Sequence, residues 1–122
     1  MSHVVTIRTM VRDRAAVDAA CRRLRWALPR MGEASLYSGE VSGLVVTVPD
    51  WVYPVVADLA SGQLRYDNFG GAWGDVRQLD RFLQAYAVEK TRIEARRQGH
   101  DVVEQPLPDG SIRMTIRVGG GS

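Results

Sequence analysis

Two histidines, His3 and His100, stand ninety-seven positions apart, and the only thiol is Cys21. Nucleophilic catalysis needs a base beside the nucleophile, and a structural metal site needs several soft or imidazole ligands. One cysteine rules out an internal disulfide framework or a multi-cysteine metal site supplied by this chain. Cys21 also continues the helical spacing Val17, Ala20, Cys21, Leu24, which turns it toward a core, where a thiol behaves as a small hydrophobe. The run Gly39-Glu40-Val41-Ser42-Gly43 falls short of a nucleophile elbow, because Ser42 directly precedes Gly43; it reads as a turn.

The loop Asn68-Phe69-Gly70-Gly71-Ala72-Trp73-Gly74 runs into a helix start, a place where free N–H groups and the helix dipole attract anions. It lacks both the dinucleotide fingerprint and the Gly-Lys-Ser/Thr ending of a P-loop, and Asp75 puts a carboxylate where a phosphate would sit. An ordinary cap after a flexible loop is the reading. A dispersed site built from His3, Asp67, Tyr86 and Lys90 is the enzymatic alternative. Nothing in the sequence gathers these four, and each has a simpler place: a frayed terminus, a strand end, a core stripe and a helix surface.

The 122 residues carry a formal charge of +2, with fifteen Arg and only Lys90 as cations. Guanidinium groups suit phosphate and carboxylate, yet so small a net charge gives weak, salt-sensitive attraction to nucleic acid and no sequence preference. Arg22, Arg23, Arg25 and Arg30 near the first helix and Arg92, Arg96 and Arg97 near the end of the second carry that nucleic-acid alternative. No apolar run approaches the roughly 20 residues of a membrane span, so a cytoplasmic protein without a membrane partner is expected.

Positioning falls to a long helix bounded by Asp75 as N-cap, with Gln78 placed as in a capping box, and Gly99 as terminator. Val76, Leu79, Leu83, Tyr86 and Ile93 form its apolar stripe. A first strand over 4–10 precedes a helix capped by Asp13 and stopped by Pro29. Residues 33–40 and 44–48 read as strands around a turn at Val41-Ser42-Gly43. Any strand in 52–57 is short or at an edge because of Pro49 and Pro54, and 63–67 is another strand after Ser61-Gly62. Asp109-Gly110 closes a hairpin of 101–105 with 111–118. The fold class is α+β: an antiparallel sheet, two helices (about 14–28 and 76–98) on one face, and a C-terminal β-hairpin. A single domain spans 1–118, and 119–122 is a flexible tail.

Ser2-His3 with Thr6-Ile7-Arg8-Thr9, Tyr86-Ala87 with Lys90, and Asp109-Gly110-Ser111-Ile112-Arg113 together resemble the hypothetical chloroplast open reading frame thirty-five family. These are small bacterial and plastid proteins of unknown function. The resemblance is weakest over 33–61, and Glu89 stands where family members often carry His. It implies no catalytic residues or cofactor, and it implies a role beside an AAA-type ATPase, since such genes often neighbour one another. The expectation is therefore a non-enzymatic binding or adaptor module for a protein partner, with Phe69 and Trp73 as anchors and Asp67 and Lys90 as further partner-binding candidates.

Overall fold

The computed structural model describes residues 4–119; residues 1–3, with Ser2 and His3, and 120–122, most of the expected tail, lie outside the described residues. Strand β1 (Val5–Arg8) leads into helix α1 (Arg14–Leu24), and strands β2 (Arg30–Leu36), β3 (Gly39–Val46), β4 (Val55–Asp58) and β5 (Gln63–Tyr66) follow. A single 3-10 turn at Phe69–Gly71 precedes helix α2 (Val76–Arg97), and β6 (Asp101–Pro106) and β7 (Ile112–Arg117) close the chain. The strands β1 to β5 make one antiparallel sheet in the order β1-β5-β4-β3-β2, and β6 with β7 makes a separate hairpin. This is the α+β fold that the alternation and periodicity imply.

Both helices cover one face of the sheet. Alternation along the strands sends Leu44 and Val46 of β3, Val55 and Ala57 of β4, and Leu64 and Tyr66 of β5 to that face. They meet Ala16, Val17, Ala20 and Cys21 of α1 and Leu79, Phe82, Ala85 and Tyr86 of α2. Small residues dominate α1 here, which lets its backbone approach α2 closely. The opposite face carries a smaller buried patch of Ala34, Val45 and Val56. In register, Arg30 stands beside Val45 and Arg65 beside Val56. Arg30 reaches along its strand to donate to the Glu33 carbonyl at 3.4 Å, so its aliphatic stem shields that face.

Several boundaries differ from the sequence expectations, each for a local reason. Helix α1 stops at Leu24, four residues short of 28, because Arg25 adopts the left-handed conformation (φ 61°) and Trp26 donates its N–H back to the Cys21 carbonyl at 2.8 Å. Trp26 then drops into the core and stacks on Phe82 with ring centroids 6.0 Å apart. Pro29 is not the terminator. The turn between β2 and β3 is Tyr37-Ser38, whereas Val41-Ser42-Gly43 lies within β3. Gly43 belongs there because a Cβ would stand 2.6 Å from the Ala57 carbonyl oxygen of β4.

Strand β4 is short, as the prolines require, but it occupies the middle of the sheet. Helix α2 begins and ends where its caps place it: Asp75 accepts from the Arg77 N–H at 2.9 Å, and Gly99 takes φ 73°. Gln78 does not complete a reciprocal box, since its side-chain oxygen accepts from Arg81 instead. The buried stripe is centred on Phe82, with Leu83 and Ile93 at its half-buried margin and Val76 exposed. Among the described residues no helix is long and apolar enough to cross a membrane.

Candidate functional site

Two connecting segments are sewn together at the N-terminal end of α2. Asn68 organises the first: its carbonyl accepts from the N–H groups of Gly71 and Trp73, each at 2.9 Å, and its side-chain amide donates to the Gly74 carbonyl at 3.1 Å. The second segment, 49–54, is tied on by the Val52 N–H, which donates to the Trp73 carbonyl at 2.9 Å, and by the Trp51 indole N–H, which donates to the Asp75 carbonyl at 3.1 Å. Gly74 fits beneath the Trp51 ring so closely that a Cβ would overlap it. The glycine-rich loop is thus a hydrogen-bonded structure of defined shape instead of the slack connection its composition suggests.

That shape gathers four rings. Trp73 lies at the centre, stacked on Phe69 at 4.7 Å between centroids, and met by Tyr53 at 5.5 Å and by Tyr37 at 5.3 Å. Phe69 keeps φ 47°, a conformation that costs a side-chain-bearing residue on the order of 1–2 kcal/mol. Phe69 is 44% and Tyr37 63% exposed, while Trp73 is half-buried. Tyr37 and Tyr53 arrive from the β2–β3 turn and from the segment before β4. Neither is visible from the loop's own sequence, and the misplaced turn hid Tyr37 in particular.

Asp67 sits under this surface. It is 1% exposed; one carboxylate oxygen accepts from the Phe69 N–H at 3.2 Å, and the other has no hydrogen-bond partner among the described residues. Asp67 therefore acts on the loop from below, steadying Phe69, and presents nothing to a partner directly.

Lys90 lies elsewhere. Fourteen residues beyond the start of α2 place it roughly 21 Å along the helix axis from the aromatic surface. Its ammonium donates to Asp13 at 2.9 Å and to Glu94 at 2.8 Å, and these hydrogen bonds raise the lysine pKa and lower those of both carboxyl groups. Tyr86 is one turn away. Its hydroxyl donates to the Met10 carbonyl and accepts from the Arg12 and Asp13 N–H groups, each at 3.1 Å, which clamps the β1–α1 connection onto α2. Both residues border a mainly apolar cleft of about 370 Å³ with Met10, Val11 and Leu83.

The four residues of the enzymatic alternative are consequently not assembled. Tyr86 and Lys90 are neighbours near the end of β1. Asp67 follows Tyr66, which pairs with Val5 at the start of β1, so it belongs to the other end of the β1–β5 ladder. His3 lies outside the described residues. Cys21 is fully buried, and burial pushes its thiol up to about 11, with Asp18 adding to the shift, so it is held as the unreactive thiol. No group of three or more His, Cys, Asp or Glu among the described residues is disposed to hold a metal ion.

Three of the seven arginines proposed for nucleic acid are tied to carboxylates, whereas Arg22, Arg25, Arg30 and Arg96 make no ion pair among the described residues. Arg23 forks onto Glu104 and reaches Glu89, Arg92 bonds Glu104 at 2.7 Å, and Arg97 bonds Glu94 at 3.0 Å. The Glu104 carboxyl is held below its ordinary range, first by Arg23 and further by Arg92. Compared with protein-family models, curated proteins and solved structures, the chain gives no significant match in any of the three.

Proposed function

We propose that this chain is a non-enzymatic binding module that docks a protein partner through the surface formed by Tyr37, Tyr53, Phe69 and Trp73. The observation that carries this reading is Phe69: its backbone is strained, its ring is fixed against Trp73, and nearly half of it faces solvent. Backbone strain at an exposed aromatic, retained by the hydrogen bonds that Asp67 accepts from the Phe69 N–H and the Asn68 carbonyl accepts from Gly71 and Trp73, is what a pre-organised contact requires, because little entropy is left to lose on binding. Large rings in a fixed arrangement are also the side chains that dominate interface energetics. The partner to test first is the AAA-type ATPase implied by the family resemblance, in the cytoplasm.

The test uses Tyr37→Ser with Phe69→Ser, leaving the more buried Trp73 in place. The full chain is used as bait in the native cell, the captured proteins are identified by mass spectrometry, and the recurrent one is titrated calorimetrically. The double variant keeps a near-normal melting temperature and loses at least tenfold in affinity. A melting temperature lowered by about 10 °C would make the rings part of the core, and unchanged affinity would place the contact elsewhere.

A further inference from the structure

A different surface forms at the far end of α2. Arg92 and Arg96 lie one turn apart on the helix, and the turn through Gly99 carries the chain past His100 into β6. In the hairpin register Arg117 of β7 stands opposite Asp101, so the returning strand brings a third guanidinium to the helix end. The geometry is tight: a Cβ on Gly119 would overlap the Gly99 carbonyl. Arg92, Arg96, His100 and Arg117 line a concavity of about 310 Å³ together with Asp101 and Val102.

Three arginines thus gather around two carboxylates, Asp101 in the lining and Glu104 beside it. Glu104 holds Arg92 in place at 2.7 Å, but among the described residues no carboxylate oxygen lies within 4.0 Å of a guanidinium nitrogen of Arg96 or Arg117. The helix dipole accounts for Arg96, which follows the general preference for cations at a helix C-terminus. Arg117 comes from a strand and has the single charge of Asp101 opposite it in the register, so with Arg96 it leaves the concavity with an excess of positive charge that an anion would relieve.

We propose that this concavity binds a small phosphate monoester. A tetrahedral dianion accepts hydrogen bonds in several directions and matches planar guanidinium forks arriving from a helix and a strand, with His100 at the turn between them. A monocarboxylate would be satisfied by a single fork. The helix between this site and the aromatic surface is roughly 33 Å long, so the proposal stands apart from partner docking.

The probe is glycerol 2-phosphate, titrated into the full chain at constant ionic strength while amide chemical shifts are followed. The expected result is saturable binding with the largest shifts at His100, Asp101 and Val102, weakened at least tenfold in Arg96→Gln/Arg117→Gln and unchanged in Arg113→Gln. Arg117→Gln alone, expected to weaken binding at least threefold, serves should the double variant unfold. Shifts that rise linearly without saturation, an unchanged dissociation constant in the Arg117 variant, or succinate binding as tightly as the phosphate would each overturn the assignment.

Discussion

Replacing Phe82 by Ala tests the phase of α2 and the way the helices meet the sheet. Phe82 is 1% exposed and stacked on Trp26, which itself fills the space vacated where α1 stops early. Truncating a buried Phe costs about 3–5 kcal/mol, from the lost transfer energy and the cavity left behind. Leu83, one position on, is turned about 100° around the helix and is only half-buried, so Leu83→Ala should cost roughly 1–2 kcal/mol, well under the full range for a buried Leu. With a urea slope of about 1.5 kcal/mol per molar for a domain of this size, the midpoint falls by about 2–3 M for Phe82→Ala and by about 1 M for Leu83→Ala. Phe82→Leu, which retains most of the volume, should lie between wild type and the alanine variant. Equal shifts for the two alanine variants, or a larger one for Leu83→Ala, would refute the placement of Phe82 at the centre of the helix–sheet interface.

Tyr86→Phe removes one hydroxyl that serves Met10, Arg12 and Asp13, leaves two N–H groups unsatisfied, and should lower stability by about 1–3 kcal/mol in urea unfolding. The carboxyl groups of Asp13 and Glu104 both titrate below their ordinary values in the folded chain, so the stability they supply is complete above about pH 5 and is lost as pH falls through the folded values. Glu104→Gln should therefore cost about 1 kcal/mol at neutral pH and flatten part of that acid limb, read from unfolding midpoints between pH 2 and 7. Arg25→Gly relieves a left-handed residue that makes no ion pair among the described residues, and should raise stability by about 1 kcal/mol in thermal melts.

The two helices close with the same backbone motif, and the difference between them explains much of what the sequence discloses. At the end of α2 the His100 N–H returns to the Ala95 carbonyl at 2.8 Å around a left-handed Gly99, and glycine announces the stop. At the end of α1 the Trp26 N–H returns to the Cys21 carbonyl at 2.8 Å around a left-handed Arg25. Arginine announces nothing, so the next visible breaker, Pro29, looks like the boundary. Packing decides here against local preference: Trp26 gains a buried position against Phe82, worth more than the strain at Arg25. Gly43 shows the reverse, a glycine that resembles turn punctuation but is required by the close approach of β4. Local chemistry thus discloses caps, the Asp109-Gly110 turn and strand alternation, because neighbours in sequence settle them. The aromatic surface is legible only as far as Phe69 and Trp73 share one loop. Tyr37 and Tyr53 join it through the sheet order, and the Arg117 that completes the cationic concavity joins Arg92 and Arg96 through the hairpin register. Both surfaces are consequences of long-range pairing, which one sequence encodes without displaying.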